Sequence, residues 1–372
     1  MAEARAAERI AVLLHTLESG GGAQRRVVEL VNGFAAAGRA VDLHVVQPGE
    51  LRSLVSPQVR VFEVDGSALR DHLKCDPPDA LLAGAAAIHG LAVRSMPRPR
   101  SFPLILRASS HPFRALPWSM PWQKLREQAR RRPRIARYRE ADLVIAVSQD
   151  VAASIKRALP LVRVIVSNDP VVTDRFLAGA DAPITLPWPS DTEIPLILGI
   201  GRLALAKDFP TLLRAFALLR ATRPARLAIL GGGSAGDRES LLRLARKLGI
   251  QADLALPGET GTVAAWLHNA SLFVSSSLWE GSSGALIEAL AMGCPAVATS
   301  SVGSAVELLR NGELGAIVPA GDPSAMAAAM AAQLDRPPES SRLVAAASPY
   351  RDHNQAADYL AAIDACVRDF RR

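Results

Sequence analysis

Cysteine is scarce and poorly placed for its usual structural uses. The chain has three, Cys75, Cys294 and Cys366, far apart and odd in number. They make no disulfide framework and no metal-binding spacing, so a reducing compartment is expected. Aromatic residues are also few, at 5%, and Ala, Leu, Val and Gly dominate instead. That composition suits tightly packed helix-on-sheet layers. The first residues, MAEARAAERI, are charged and lead straight into a short strand-like run, with no apolar core of a signal peptide. Long hydrophobic runs are missing too. The most apolar window, residues 80–93, is rich in small residues, contains His89 and is too short to span a bilayer. A cytoplasmic protein is expected, or one held peripherally on the inner face of the plasma membrane.

What is present begins with size and charge. At 372 residues the chain exceeds one ordinary core, so two domains are expected. Net charge is +7 and uneven: residues 124–139, KLREQARRRPRIARYR, hold eight basic residues and one acidic one. Trp118, Met120 and Trp122 precede this run. One reading is a solvated helix face broken near Pro133. Another is a patch, Trp118 to Arg139, that docks on anionic lipid with its tryptophans at the interface. No recognised nucleic-acid module accompanies the charge, and no nucleic-acid partner is expected.

Short apolar runs alternate with longer amphipathic ones almost throughout. Strands are expected at Ile10–His15, Val41–Val46, Pro103–Arg107, Leu143–Val147 and Val162–Val166, with a helix over Ala23–Ala37. Residues 177–193, LAGADAPITLPWPSDTE, are rich in Pro, Asp and Ser, lack periodicity and read as a linker. The alternation then restarts, with strands at Pro195–Ile200, Arg226–Leu230, Asp253–Leu256, Leu272–Val274, Pro295–Thr299 and Ala316–Val318, and helices at Phe209–Arg220 and Arg238–Leu248. This pattern predicts an α/β protein of two Rossmann-like, doubly wound domains facing a central cleft. The expected organisation is a first domain over 1–176, the linker, a second domain over 194–352, and a C-terminal helix over 353–372 that crosses back to the first.

Four motifs carry chemistry. Glu280 and Glu288 stand eight positions apart around Gly281-Ser282-Ser283-Gly284, between a buried strand and a helix. Free N–H groups and the dipole at such a helix start favour a phosphate. Carboxylates on either side can accept from hydroxyls, which together describes a nucleotide sugar. Glu288 has apolar neighbours, Leu286, Ile287, Ala289 and Leu290, unlike an ordinary exposed helix glutamate. In GIGRLALAKDF, residues 199–209, Arg202 and Lys207 converge in a glycine-started loop, as suits a diphosphate. That loop and the Glu280 loop should open on the same sheet edge. ESGGGA, residues 18–23, is a strand-to-helix turn that is either a plain tight turn or a substrate loop, and it is not a dinucleotide fingerprint. RASSH, residues 107–111, places His111 after an apolar run, either as a structural histidine or as a donor to a sugar.

Taken together, these residues resemble the retaining GT-B glycosyltransferases of glycosyltransferase family 4 (glycosyl transferases group 1). The likeness covers nearly the whole chain and is strongest over 195–322. WEGSSGALIEALAMGCPAVAT matches the family's E-x7-E motif and GRLALAKDF its diphosphate loop. GGAQRRVVELVNGFAAAGRAVDLHVV resembles the opening loop, helix and second strand; DLVIAVSQ and SNDPV resemble the close of the first domain. The resemblance implies that Arg202 and Lys207 bind the donor diphosphate, with N–H groups near Ser283 and Gly284, and that Gly258 belongs to the same donor-binding set. It implies that Glu288 holds the ribose hydroxyls and Glu280 the transferred sugar. Gly21 and Gly22 would lie against the donor, and His111 against the sugar or acceptor. The chain departs from the family in having Ser282 and Ser283 where a large apolar residue and a proline are common, and Ser110-His111-Pro112 where Glu-His-Asn is usual in one subset.

The expected activity is transfer of a hexosyl or N-acetylhexosaminyl unit from a nucleoside diphosphate sugar, a UDP-sugar by preference, to a saccharide or lipid-linked saccharide in cell-surface polysaccharide or glycoconjugate assembly. No cofactor is required in this reading. No Asp-x-Asp motif occupies a suitable loop, so metal-independent transfer is expected, the two cations replacing a metal ion. The rival readings are a sugar-nucleotide epimerase of the same architecture and a non-enzymatic basic protein that binds membrane or nucleic acid.

Overall fold

A computed structural model describes residues 6–18, 22–113, 121–189, 194–301 and 304–372, and for 121–128 the backbone alone. The chain forms two compact units, one of Met1–Pro170 with Asp352–Arg372 and one of Val171–Arg351.

The first unit runs β1 (Arg9–Thr16), α1 (Gly22–Ala36), β2 (Ala40–Gln47), β3 (Arg60–Glu63), α2 (Gly66–Cys75), β4 (Ala80–Ala83), α3 (His89–Ser95), β5 (Leu104–Ala108), α4 (Pro121–Arg139), β6 (Leu143–Ala146), α5 (Gln149–Ala158) and β7 (Val164–Val166). Its seven strands are ordered β3-β2-β1-β4-β5-β6-β7 and every pair is parallel. Helices cover both faces, so the central strands are buried throughout: β4, β5 and β6 have no exposed position. β4 is hidden in the sequence because its four residues, ALLA, have neither alternation nor the β-branched side chains that mark β6, LVIA. The apolar window at 80–93 resolves into β4 and the start of α3. Contrary to the expected break, α4 continues through Pro133. Pro133 and Ala129, four residues earlier, are both exposed, so water can solvate the carbonyl that proline leaves unbonded.

The second unit runs α6 (Asp174–Ala178), β8 (Leu196–Ile200), α7 (Phe209–Arg220), β9 (Arg226–Leu230), α8 (Ala235–Lys247), β10 (Leu254–Gly258), α9 (Val263–Asn269), β11 (Leu272–Ser275), α10 (Gly284–Ala291), β12 (Ala296–Thr299), α11 (Ala305–Leu308), β13 (Ala316–Val318), α12 (Pro323–Asp335) and α13 (Ser340–Ala347). Its six strands are ordered β10-β9-β8-β11-β12-β13, again all parallel. The order reverses between β8 and β11, the switch point at which open α/β sheets leave a crevice beyond the strand ends.

The boundaries differ from the expected ones. The first unit leaves off at Pro170 and not at 176. The stretch read as a linker is part of the second unit: Phe176, Leu177, Ile184, Leu186 and Trp188 pack on its core, and Trp188 donates from Nε1 to the Ala252 carbonyl at 2.8 Å. Scattered apolar residues among prolines anchor this segment without any helical or strand period. The last helix, α14 (Asp352–Phe370), returns to the first unit and buries Tyr359, Ile363, Cys366 and Val367 against α1 and its neighbours. A side chain at Gly33 would collide with Ala356, so glycine there lets α1 and α14 approach closely.

Candidate functional site

Both loops at the switch point of the second unit carry charged residues singled out from the sequence. The loop after β8 holds Arg202 and Lys207; the loop after β11 holds Glu280. Hydrogen bonds tie the two together. Ser276 Oγ donates to the Lys207 carbonyl at 2.6 Å, and the Leu278 N–H donates to the Ala206 carbonyl at 2.8 Å. On its other side the β8 loop is tied to the glycine turn after β9, through Gly201 N–H to the Leu230 carbonyl at 2.9 Å and Leu203 N–H to the Gly232 carbonyl at 2.7 Å. Gly231, at φ 136°, lies against the Gly201 carbonyl, where a Cβ would not fit. The loops are thus held by backbone geometry as much as by side chains.

This strapping places Lys207 Nζ on Glu280 Oε1 as a hydrogen-bonded ion pair. The Lys207 side chain is 23% exposed and that of Glu280 10%. Burial and the positive charge of Arg202 pull Lys207 down from 10.5 to about 8, and Glu288 opposes them. Arg202, Lys207, Glu280 and Glu288 therefore form one electrostatic group: two cations and two carboxylates at the carboxyl edge of one sheet. Arg202 is exposed and Glu288 half-buried. Glu288 projects from α10, whose Leu286, Ile287, Ala289 and Leu290 are buried.

The start of α10 is capped internally. Ser283 Oγ accepts from the Leu286 N–H at 3.3 Å, and the Ser283 N–H donates to Ser304 Oγ at 3.2 Å. The expected availability of both N–H groups at Ser283 and Gly284 is therefore corrected: Ser304, 2% exposed, holds the one from Ser283. Gly284 is the first residue of α10 and half-buried. Gly258 ends β10 at φ 88°, and its carbonyl accepts from the Gly231 N–H at 2.8 Å, which ties it to the same glycine turn.

The remaining candidates are in the first unit. His111 follows β5; its Nε2 is 3.2 Å from Asp150 Oδ2, in the first turn of α5, and its side chain is 12% exposed. Gly22 is the exposed first residue of α1, while Gly21 lies outside the described residues, as do Trp118 and Met120. The side chains of Trp122, Lys124 and Arg126 are likewise outside the description; Arg130, Arg131, Arg132 and Arg139 on α4 are exposed.

Several polar residues at these edges escape a reading from the sequence. Thr299 and Ser301 both donate to the Ser277 carbonyl, at 2.5 and 2.8 Å, closing the ends of β11 and β12 on each other. In the first unit Arg107 is wholly buried, with Nε 2.8 Å from Asp169 Oδ1, Nη2 on Asp169 Oδ2 and Nη1 2.6 Å from the Gly84 carbonyl. Tyr359 of α14 donates to Asp169 Oδ1 at 3.3 Å. An arginine inside the apolar run LILRA signals a buried partner. Nothing in the sequence says that the partner stands 62 positions away.

Among the described residues, no helix is long and apolar enough to cross a membrane, and no group of three or more His, Cys, Asp or Glu side chains is arranged to hold a metal.

Comparison with known proteins agrees with this geometry. The family model for glycosyl transferases group 1 matches residues 194–336. The D-inositol 3-phosphate glycosyltransferase of Streptomyces scabiei is 32% identical over 258 residues, 63% of this chain and 57% of that protein. The lipopolysaccharide core biosynthesis glycosyltransferase LpsE of Rhizobium meliloti is 25% identical over 322 residues, 83% of this chain and 84% of that protein. The chain thus spans little more than half the length of the first of these relatives. Among solved structures, HepE of Anabaena in complex with UDP and glucose superposes with a TM-score of 0.72 at 16% identity, over 98% of this chain and 99% of that one. With two parallel Rossmann-like sheets the chain has the GT-B fold, and its second unit matches the glycosyl transferases group 1 family over residues 194–336.

Proposed function

We propose that the protein is a retaining glycosyltransferase that moves a hexosyl or N-acetylhexosaminyl unit from a nucleoside diphosphate sugar to a saccharide acceptor. The observation that carries this reading is the group formed by Arg202, Lys207, Glu280 and Glu288 at the switch point of the second unit. The two cations face the leaving diphosphate and stabilise the charge that develops as the bond from C1 to the diphosphate oxygen breaks. Glu288 accepts from the ribose hydroxyls and Glu280 from the sugar. The acceptor oxygen attacks C1 on the face the diphosphate leaves, and its proton passes to the departing phosphate. No enzymic nucleophile is needed, and with two cations present transfer should survive EDTA. UDP is the favoured nucleotide, as HepE is bound to UDP and glucose.

A thermal-shift series with UDP, GDP and ADP tests the site, since a ligand at 100 times its Kd adds about 2.7 kcal/mol. A screen of their sugar conjugates for slow hydrolysis then identifies the donor, and the anomeric configuration of the transferred product tests retention. Binding of none of the three nucleotides would sink the reading.

For the acceptor, we favour a lipid-linked saccharide at an anionic membrane surface. The exposed arginines of α4 support this, as does the place of LpsE in lipopolysaccharide core biosynthesis. Sedimentation with anionic but not neutral vesicles at low salt is the expected result.

A further inference from the structure

We infer that Glu280 is a specificity-determining residue that makes the site prefer a sugar-loaded nucleotide over the bare nucleoside diphosphate; this rests on the donor-site reading above. Glu280 holds the Lys207 ammonium in an ion pair. The Ser276 and Leu278 hydrogen bonds hold the contact in place by fixing the two loops to each other. A diphosphate that takes up Lys207 must draw it away from Glu280. The Glu280 carboxylate, only 10% exposed, then stands beside new negative charge without its cation.

What happens next depends on the ligand. An intact donor brings sugar hydroxyls into the same place, and these donate to Glu280 and replace Lys207. A bare diphosphate brings acceptors only, so the carboxylate loses a charge-assisted bond and gains a repulsion. The same pair that admits the substrate therefore weakens retention of the product. The surrounding charges make this a balanced device: two cations and two carboxylates nearly cancel, and a diphosphate tips the group negative.

The test is the ratio of the dissociation constants of UDP and UDP-glucose, measured by titration calorimetry on the full chain. GDP or ADP and the corresponding glucose conjugate take their place should one of those be the nucleotide bound. In Glu280→Gln, UDP should bind about tenfold tighter and UDP-glucose no tighter than in wild type. Adding Lys207→Met to Glu280→Gln should abolish the gain for UDP, which a merely looser fold would not do. Glu280→Asp, which keeps the charge but shortens the reach, should show the same sign with a smaller size, and it serves if the glutamine variant does not fold. If wild type binds UDP and the folded Glu280→Gln binds it equally or more weakly, the inference falls while the donor site stands. If no nucleotide binds wild type, both fall together.

Discussion

Two ion pairs in this molecule share a chemistry and differ in what surrounds them. Arg107 and Asp169 sit in the first unit, Lys207 and Glu280 in the second, and the two carboxylates are equally shielded at 10% exposure. Burial of the acid therefore does not distinguish them. The cations do. Arg107 is fully buried, grips Asp169 through two nitrogens and spends a third on the Gly84 carbonyl, while Tyr359 adds a bond to Asp169 from α14. Burial works against its charge, but the Asp169 carboxylate outweighs it and holds the guanidinium charged well past the ordinary arginine range. Lys207 is partly exposed, meets Glu280 through one ammonium and feels Arg202 and Glu288 besides. A pair sealed on all sides can only hold elements together. A pair with a partly exposed cation at a sheet switch point is open to solvent on one side, as the exchange inferred above requires.

The sharpest way to break this contrast is to remove one member of each pair. Asp169→Ala leaves Arg107 buried without its counter-charge and should cost about 3–5 kcal/mol in urea unfolding. Arg202→Ala and Lys207→Ala should each lower kcat by about 10²–10³, and Arg202→Ala, at an exposed side chain, should leave the unfolding midpoint nearly unmoved. If either keeps kcat within a few-fold of wild type, its role at the diphosphate is wrong; if Asp169→Ala is as stable as wild type, the sealed pair is not structural.

Smaller changes sharpen the contrast. Tyr359→Phe keeps the ring packing and removes one bond to Asp169, so a loss of about 1 kcal/mol is expected in the same unfolding experiment.

Acidity gives the finest test. Lys207 keeps its proton up to about pH 8 in the folded chain and to about 10.5 when unfolded. Between those values the unfolded chain binds more protons, so stability should rise with pH there, and the rise should vanish in Lys207→Met. Activity should move the opposite way, kcat/KM falling above about pH 8 as the diphosphate loses a cation. Lys207→Arg, charged across this range, should remove that limb of the profile.

Much of the scaffold was legible in the residues, for reasons that differ from place to place. Phe209–Arg220 and Arg226–Leu230 were read at their observed limits because a glycine loop or a proline punctuates each end and the apolar period is clean. β4 was not, since ALLA has no period to read and no β-branched residue to mark it as a strand. The anchored segment 171–189 looked like a linker because its contacts are single side chains reaching a distant core. At the site, the charged residues and their common edge were visible as motifs at strand ends. The link from Ser283 to Ser304 was invisible, because it joins two loops through a serine that carries no pattern of its own.

The sequence by itself determined two parallel sheets, the loops at their carboxyl ends, two cations and Glu280 in those loops, and Glu288 in the helix that follows. Local periodicity, glycine turns and residue chemistry encode such features over short distances. Only the tertiary structure decided that Lys207 faces Glu280, that Ser304 takes the N–H of Ser283 at the cap of α10, and that Arg107 is locked to Asp169 under α14. Each joins residues far apart in the chain, and their geometry is set by how strands pair and helices pack, not by any spacing along the sequence.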